Sequence, residues 1–304
     1  MAELKIGSLE EFAEEVKAEI EKRYDVPVML QERTKNNGVK KLSLIIREHD
    51  MNASPTIYLE PYYDIYEHEG FEIAVDILWE CYEESRLKEN FDISIVSNYN
   101  KAKNKLVAGV VNYKMNEELL KSVPHAQFLD LAIVAYVELG QPIVEEGSAT
   151  VLVSENLREI WGITSEEVIQ QALYNVRDDA VIQDIVDALR ELGAEHLLAL
   201  LSNKDKGFLY VISNKKQFHG GIHIMNKAAI SEFADEKNVK YVYIMPSSVH
   251  EVMLLPVTSE VDIDDAHRLR KIVSEVNENQ LPVEQILSNN VYLYSRETND
   301  LKIV

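Results

Sequence analysis

The chain has 304 residues, of which 46 % are hydrophobic and 27 % charged, a globular rather than disordered composition. With 31 Lys and Arg against 52 Asp and Glu its formal charge is −21, which disfavours generic binding to nucleic acid or to an anionic membrane. The longest apolar run, Leu131–Val137, is far short of the about 20 residues of a bilayer span, no basic and apolar leader opens the chain, and the single cysteine, Cys81, excludes an intrachain disulfide and a multi-cysteine zinc site, so the expectation is a cytoplasmic protein.

Ser8 and Glu11 have the spacing of a capping box, and Leu9, Phe12, Ala13, Val16 and Ile20 then recur on one helical face until Asp25 and Pro27. A strand is predicted over Val28–Arg33. Asn37-Gly38, a pair that accepts the positive φ of a two-residue hairpin turn, leads into a returning strand with Leu42, Leu44 and Ile46 alternating. Ser54–Glu60 reads as extended, Tyr62, Tyr63 and Tyr66 as a short aromatic helix, and Phe71, Ala74, Val75, Leu78, Cys81 and Tyr82 as the buried side of a longer one after Gly70. Phe91–Val96 alternates like a strand, a lysine-rich helix is expected from Asn98, a short helix over Asn116–Ser122, and a central strand over Phe128–Glu138. Ala149–Val153 reads as a returning strand.

Beyond it, Ser154 and Gly162 bracket a helix, and Thr164 with Glu167 makes a second capping box. Periodicity predicts a third helix over Asp179–Leu192. Phe208–Ser213 and Gly220–Met225 read as paired strands, Asn226 as the cap of a helix, and Tyr241–Met245 and Glu251–Val257 as strands joined through Pro246–His250. Asp262 is the expected cap of a long helix, and Val291–Arg296 the expected last strand. This order predicts an α+β protein of two packed lobes, 1–153 and 154–304, with mainly antiparallel sheets flanked by helices rather than one doubly wound parallel sheet.

Several segments carry a family resemblance: Tyr241–Pro256 above all, then Lys35–Val39, Ser54–Glu60, Pro124-His125 with Phe128–Ala132, and Leu157–Ile163. Together they resemble the bacterial domain-of-unknown-function family numbered 5688, found in anaerobic gut bacteria, over nearly the whole chain. The Trp161-Gly162 helix and the Pro246-Ser247 hairpin are also similar to the second half of the uncharacterised family 1444. Neither resemblance implies an activity, a cofactor or a catalytic residue.

Chemistry is then sought in the residues. Phosphate-binding, dinucleotide-binding, nucleophile-elbow and His-Glu-x-x-His signatures are absent from the sequence. Ser247, Ser248, His250 and Glu251 bring hydroxyl, imidazole and carboxylate into one hairpin, which reads either as a nucleophile with its base or as an ordinary turn whose hydroxyls cap the backbone. His219 and His223, if extended, stand ~13 Å apart and cannot share an ion; only a sharp turn at Gly220 and Gly221 would bring them together, and with no third ligand nearby a turn and strand without metal is the expectation. His125 and Asp130 sit at the entry to an apolar strand, where a carboxylate needs a partner.

Three stretches contain no acid, between Glu32 and Glu48, Asp92 and Glu117, and Asp205 and Glu232. Arg33, Lys35, Lys40 and Lys41 in the first, with Lys206, Lys215, Lys216 and Lys227 in the third, are the candidate contact surface for a protein or a small anionic ligand. The leading expectation is a non-enzymatic interaction or accessory module with no cofactor. The alternative is a hydrolase-like or nucleotide-handling enzyme with a site near His125, Asp130 and the Pro246–Glu251 hairpin.

Overall fold

The computed structural model describes residues 6–48, 50–87, 90, 92–139, 150–191, 193, 206–246, 248–258 and 263–304, the first three of the last range by backbone alone. They form two compact units, one covering residues up to Ile95 and the other Val96–Leu139 with Thr150–Val304. The chain is α+β, and every described strand pairing is antiparallel. Among the described residues no helix is long and apolar enough to cross a membrane.

In the first unit α1 (Leu9–Tyr24) begins where Ser8 Oγ accepts the Glu11 N–H. Glu11 closes the cap by accepting from Gly7 N–H at 2.8 Å rather than from Ser8. Strands β1 (Val28–Thr34), β2 (Lys40–Ile46) and β3 (Ile57–Tyr58) form a three-stranded sheet. Helices α2 (Glu60–Glu69) and α3 (Phe71–Ser85) follow. Phe12, Val16, Ile20, Leu44, Ile46 and Leu78 are buried in its core, each worth about 1.5–3 kcal/mol on leaving water. Tyr63 and Tyr66 pack edge-on and stacked against Phe12, both at 5.5 Å.

The β1–β2 turn differs from the two-residue hairpin expected. Lys35 N–H donates to Val39 C=O at 2.7 Å, which leaves three residues, Asn36–Gly38, in the loop. Asn37 (φ 59°) and Gly38 (φ 71°) are both left-handed, so the Asn-Gly chemistry was needed for a different turn.

The second unit holds two sheets. One joins β4 (Leu106–Asn112), β6 (Leu131–Glu138) and β5 (Ala126–Phe128), with β7 (Thr150–Leu152) also on β6. The other has six strands in the order β13-β12-β10-β11-β9-β8. They are β8 (Ala180–Asp184), β9 (Tyr210–Asn214), β10 (Tyr241–Met245), β11 (Val252–Val257), β12 (Tyr292–Ser295) and β13 (Asp300–Ile303). Ala108, Val110, Ile133 and Ala135 of the first sheet share one core with Ile212, Val242, Ile244 and Leu254 of the second. Tyr243, Met245 and Leu293, on the other face of β10 and β12, pack with Val273.

The helices of this unit are α7 (Glu155–Trp161), α8 (Ser165–Val176), α9 (Ile185–Glu191), α10 (Lys227–Glu236) and α11 (Ile263–Gln280), after the short α5 (Tyr99–Ala102) and α6 (Glu117–Leu120). Ser154, Gly162, Thr164 with Glu167, and Asn226 cap them as expected. The expected cap Asp262 lies outside the described residues.

The first compact unit ends at Ile95, and strands β4–β7 share a core with the strands that follow. Several expectations are corrected. The expected strand over Phe91–Val96 is replaced by a single helical turn, α4 (Ser94–Ser97), which Asp92 starts by accepting from Ser94 N–H at 3.0 Å. The single strand over Phe128–Glu138 is two strands folded at Leu129 (φ 54°) and Asp130. The helix over Asp179–Leu192 begins as strand β8, in register with β9. Asp184 then caps α9 by accepting from Val186 N–H at 2.9 Å. Gly220–Met225 is a 3-10 helix, not a strand.

Gly38 generates a test. A Cβ there meets nothing within 4 Å, so the cost of a side chain is purely conformational. Gly38→Val should lose ~1–3 kcal/mol in urea unfolding while Gly38→Asn, tolerant of left-handed backbone, should lose much less. Equal losses for the two would show that the turn does not hold this conformation.

Candidate functional site

Asp130, at the β5–β6 turn, is wholly engaged in structure. Its carboxylate accepts from Ser288 Oγ at 2.6 Å, from Asn290 Nδ2 at 2.8 Å and from the Tyr292 hydroxyl. Burial first, then the Asp130 charge, pushes the Tyr292 phenol well above its ordinary range. Nearby, Asn112 Nδ2 donates to Leu287 C=O at 2.9 Å. His125 Nδ1 lies 2.9 Å from Val123 C=O, and its ring is 6.1 Å from Tyr113. Neither residue lines a described cavity with the Pro246–Glu251 hairpin.

In that hairpin Ser247 lies outside the described residues. Ser248 is buried, and its Oγ accepts from His250 N–H at 3.1 Å and Glu251 N–H at 3.2 Å. His250 Nδ1 accepts from the backbone N–H of His219 at 3.3 Å, and its carbonyl accepts from Ser213 Oγ at 2.8 Å. Burial lowers the His250 pKa and raises that of Glu251.

The residue that this region is built around is His219. Asn214, at the end of β9, folds the following loop by donating to Phe218 C=O at 2.8 Å and accepting from Lys216 N–H at 3.0 Å. The chain then enters left-handed backbone at His219 (φ 56°) before Gly220 and Gly221. These glycines fit where nothing larger does. A Cβ on Gly220 would stand 2.2 Å from Ser213 Oγ and 2.5 Å from His250 C=O, and one on Gly221 would stand 2.8 Å from Val249 C=O. This close approach, with Gly221 N–H donating to Val249 C=O at 3.1 Å, is the physical reason that the segment is not a strand.

The His219 ring stacks on Tyr136 of β6 at 4.1 Å and meets the edge of Phe218 at 4.1 Å. Across from them Gly109 of β4 leaves the room, since a Cβ there would lie 2.8 Å from Tyr136 Cε2. Among the described residues His219 Nε2 is shielded from water and has no hydrogen-bond partner. Burial, then the neighbouring His250, brings the imidazole pKa down to about 3, and burial pushes Tyr136 up to about 12. Both rings are therefore neutral at ordinary pH. His219 lines a polar cavity of about 190 Å³ with Asn104, Glu138, Asn175, Asp179 and Lys216. His223 points elsewhere, with Nε2 2.8 Å from Asp179 Oδ1 but not aligned as a hydrogen bond. Among the described residues no group of three or more His, Cys, Asp or Glu is placed to hold a metal ion.

The acid-free stretches are not acid-free in space. Lys40 pairs with Glu32 at 2.8 Å, Lys206 with Asp187 at 2.8 Å, Lys216 with Glu138 at 2.5 Å and Lys227 with Asp300 at 3.1 Å. Lys35 lies over the Tyr58 ring, Arg33 sits opposite Lys41 in the β1–β2 register, and Lys215 lines a cavity of about 210 Å³ with Glu251. The first stretch belongs to one unit and the third to the other. The spacing of the histidines points to His219 as half of a metal pair, not as a ring held in an aromatic stack. The signal that marks its role is Gly109, a glycine inside the apolar run Leu106–Val111, the pattern of a strand that another group approaches closely.

The depressed imidazole makes a pH prediction. An unfolded His219 takes up a proton near 6.5 and the folded one only near 3, so between these values the unfolded state binds more protons. Stability is fully present above about 6.5 and falls as pH drops through that window, by at most ~1.4 kcal/mol per pH unit from this imidazole. His219→Asn, which keeps the left-handed backbone, should show a shallower loss of urea midpoint from pH 6.5 to 4 than the parent protein. Parallel profiles would mean that His219 is not held neutral.

No curated protein and no solved structure matches the chain. A family model described as "Family of unknown function (DUF5688)" matches residues 9–296. With nearly its whole length covered, the chain belongs to this family.

Proposed function

We propose that this protein is a non-catalytic binding module and that the cavity beside His219 receives a small polar ligand or a polar side chain of a protein partner. One observation carries the reading. Asp130, Ser248, and the Nδ1 atoms of His250 and His125 are engaged by the fold, whereas His219 Nε2 is buried with no hydrogen-bond partner among the described residues, a state that Asp179 Oδ1 on the same cavity and the nearby His223 Nε2 share. An unmet buried polar atom costs about 1–3 kcal/mol, a cost that a ligand's hydrogen bond relieves. The same commitments weigh against the enzymatic alternative. Ser248 Oγ accepts two backbone N–H groups, His250 Nδ1 accepts a third, and the Asp130 carboxylate accepts from Ser288, Asn290 and Tyr292. A neutral imidazole with its pKa near 3 is a weak base but a good hydrogen-bonding group, which suits recognition.

A thermal-shift screen of small amides, hydroxy acids and amino acids against the full chain tests this. Compounds that raise the melting temperature should lose their effect in His219→Asn and keep it in His125→Asn. Saturable hydrolysis of p-nitrophenyl acetate or bis(p-nitrophenyl) phosphate, abolished by Ser248→Ala or His250→Asn in variants of parental stability, would overturn the non-catalytic reading.

A further inference from the structure

The first unit contains a second, unrelated opening. The end of α1, the end of β2 and one face of α3 enclose a cavity of about 410 Å³. Its aromatic wall is Tyr24, Trp79 and Tyr82. Tyr24 and Trp79 lie face to face, 3.4 Å between centroids and 2° from parallel, and Tyr82 tilts against Trp79 at 5.1 Å. Tyr82 is buried, as a structural ring should be, but Tyr24 and Trp79 both remain partly exposed and both line the opening. In a stack this close the inner faces cover each other, so a cation that enters meets an outer face, where the π system is negative.

The charges around that wall have one sign in excess. Asp25, Glu48, Asp50 and Glu83 face Arg47 and Arg86. Arg86 is already shared between Glu48 at 3.4 Å and Glu83 at 3.1 Å, and Glu48 also accepts from the Tyr82 hydroxyl at 2.5 Å. Asp25 and Asp50 have no ion-pair partner among the described residues. Asp25 is held at the mouth by the fold itself. It is the left-handed C-cap of α1 (φ 53°), its N–H donating to Glu21 C=O at 3.1 Å.

We infer that this cavity binds a small organic cation of the quaternary-ammonium or alkylammonium type, its charge resting on the Tyr24–Trp79 stack and balanced by Asp25 and Asp50. Each part of the wall favours that class over its rivals. An anion meets a net negative rim on a chain of formal charge −21. A neutral apolar molecule gains from the rings but strips water from carboxylates that it does not pair. An ammonium group with apolar substituents satisfies both surfaces, the arrangement by which aromatic cages recognise choline-like groups. The site lies in a different unit from His219 and does not depend on the proposal made for that cavity.

Choline and its uncharged isostere 3,3-dimethyl-1-butanol separate the possibilities. The chain has two tryptophans, so a ¹⁵N–¹H spectrum holds two indole signals, and loss of one in Trp79→Phe assigns it. Choline should shift the Trp79 signal saturably and leave that of Trp161 in place. The isostere should bind about tenfold more weakly or worse. Asp25→Asn combined with Asp50→Asn, both at exposed or partly exposed positions and the first compatible with left-handed backbone, should weaken choline about fivefold or more without changing the isostere. Equal shifts by the two probes, equal shifts of the two indoles, or no saturable shift by choline would each overturn the inference.

Discussion

Asp130 ties two sheets of the second unit together with one carboxylate. Of its three donors, Ser288 and Asn290 come from the segment that leads into β12 and Tyr292 is the first residue of that strand, while Asp130 itself closes the β5–β6 turn. Hydrogen bonds to an ionised acceptor contribute about 1.5–3 kcal/mol each, well above the ~0–1 kcal/mol of the exposed ion pairs that decorate the surface. Apolar burial supplies most of the stability of this unit but has no direction. The carboxylate supplies the registry, fixing where one sheet lies on the other and so which side chains meet between them.

What meets there is the His219 region. Tyr136 and Gly109 come from the sheet that Asp130 terminates, while His219, Gly220, Gly221 and the 248–250 backbone come from the connections that follow β9 and β10 of the sheet that Tyr292 belongs to. Contacts such as a 4.1 Å ring stack and glycines against carbonyls tolerate little slippage. The same polar tie that withholds Asp130 from chemistry is therefore what allows an imidazole to be held neutral and unpartnered beside a cavity. Ser248 behaves in the same way, with its hydroxyl accepting the hairpin's own N–H groups.

Much of this was legible locally. Ser8 with Glu11, Thr164 with Glu167, Ser154 with Gly162, and Asn226 all act at the helix ends where their side-chain chemistry places them, since a cap depends on neighbours three or four residues away. Asn37-Gly38 announced left-handed backbone, though not the length of its loop. The misreadings occur where distant pairing overrides a local pattern. Ile182, Ile185, Val186 and Leu189 have helical spacing, yet β9 draws residues 180–184 into a strand. Ile222 and Ile224 alternate like a strand, yet the contact of Gly220 and Gly221 with residues 248–250 coils them. Asp130 was recognisable as a carboxylate in need of a partner, but its donors lie more than a hundred residues away and no spacing rule reaches them. The lysine stretches show the converse, as a gap in sequence is bordered in space by acids from elsewhere, Glu138 and Asp300 among them.

The central claim is that the Asp130 carboxylate and its donors act as one unit that holds the two sheets in register. A double-mutant cycle in urea between Asp130→Ala and Tyr292→Phe measures it most directly, because each change removes one end of the same hydrogen bond while sparing the ring and the turn backbone. The expected result is a coupling energy of about 1–3 kcal/mol, with the double variant little worse than Asp130→Ala alone. Losses that simply add would contradict the account and reduce Asp130 to an ordinary turn residue.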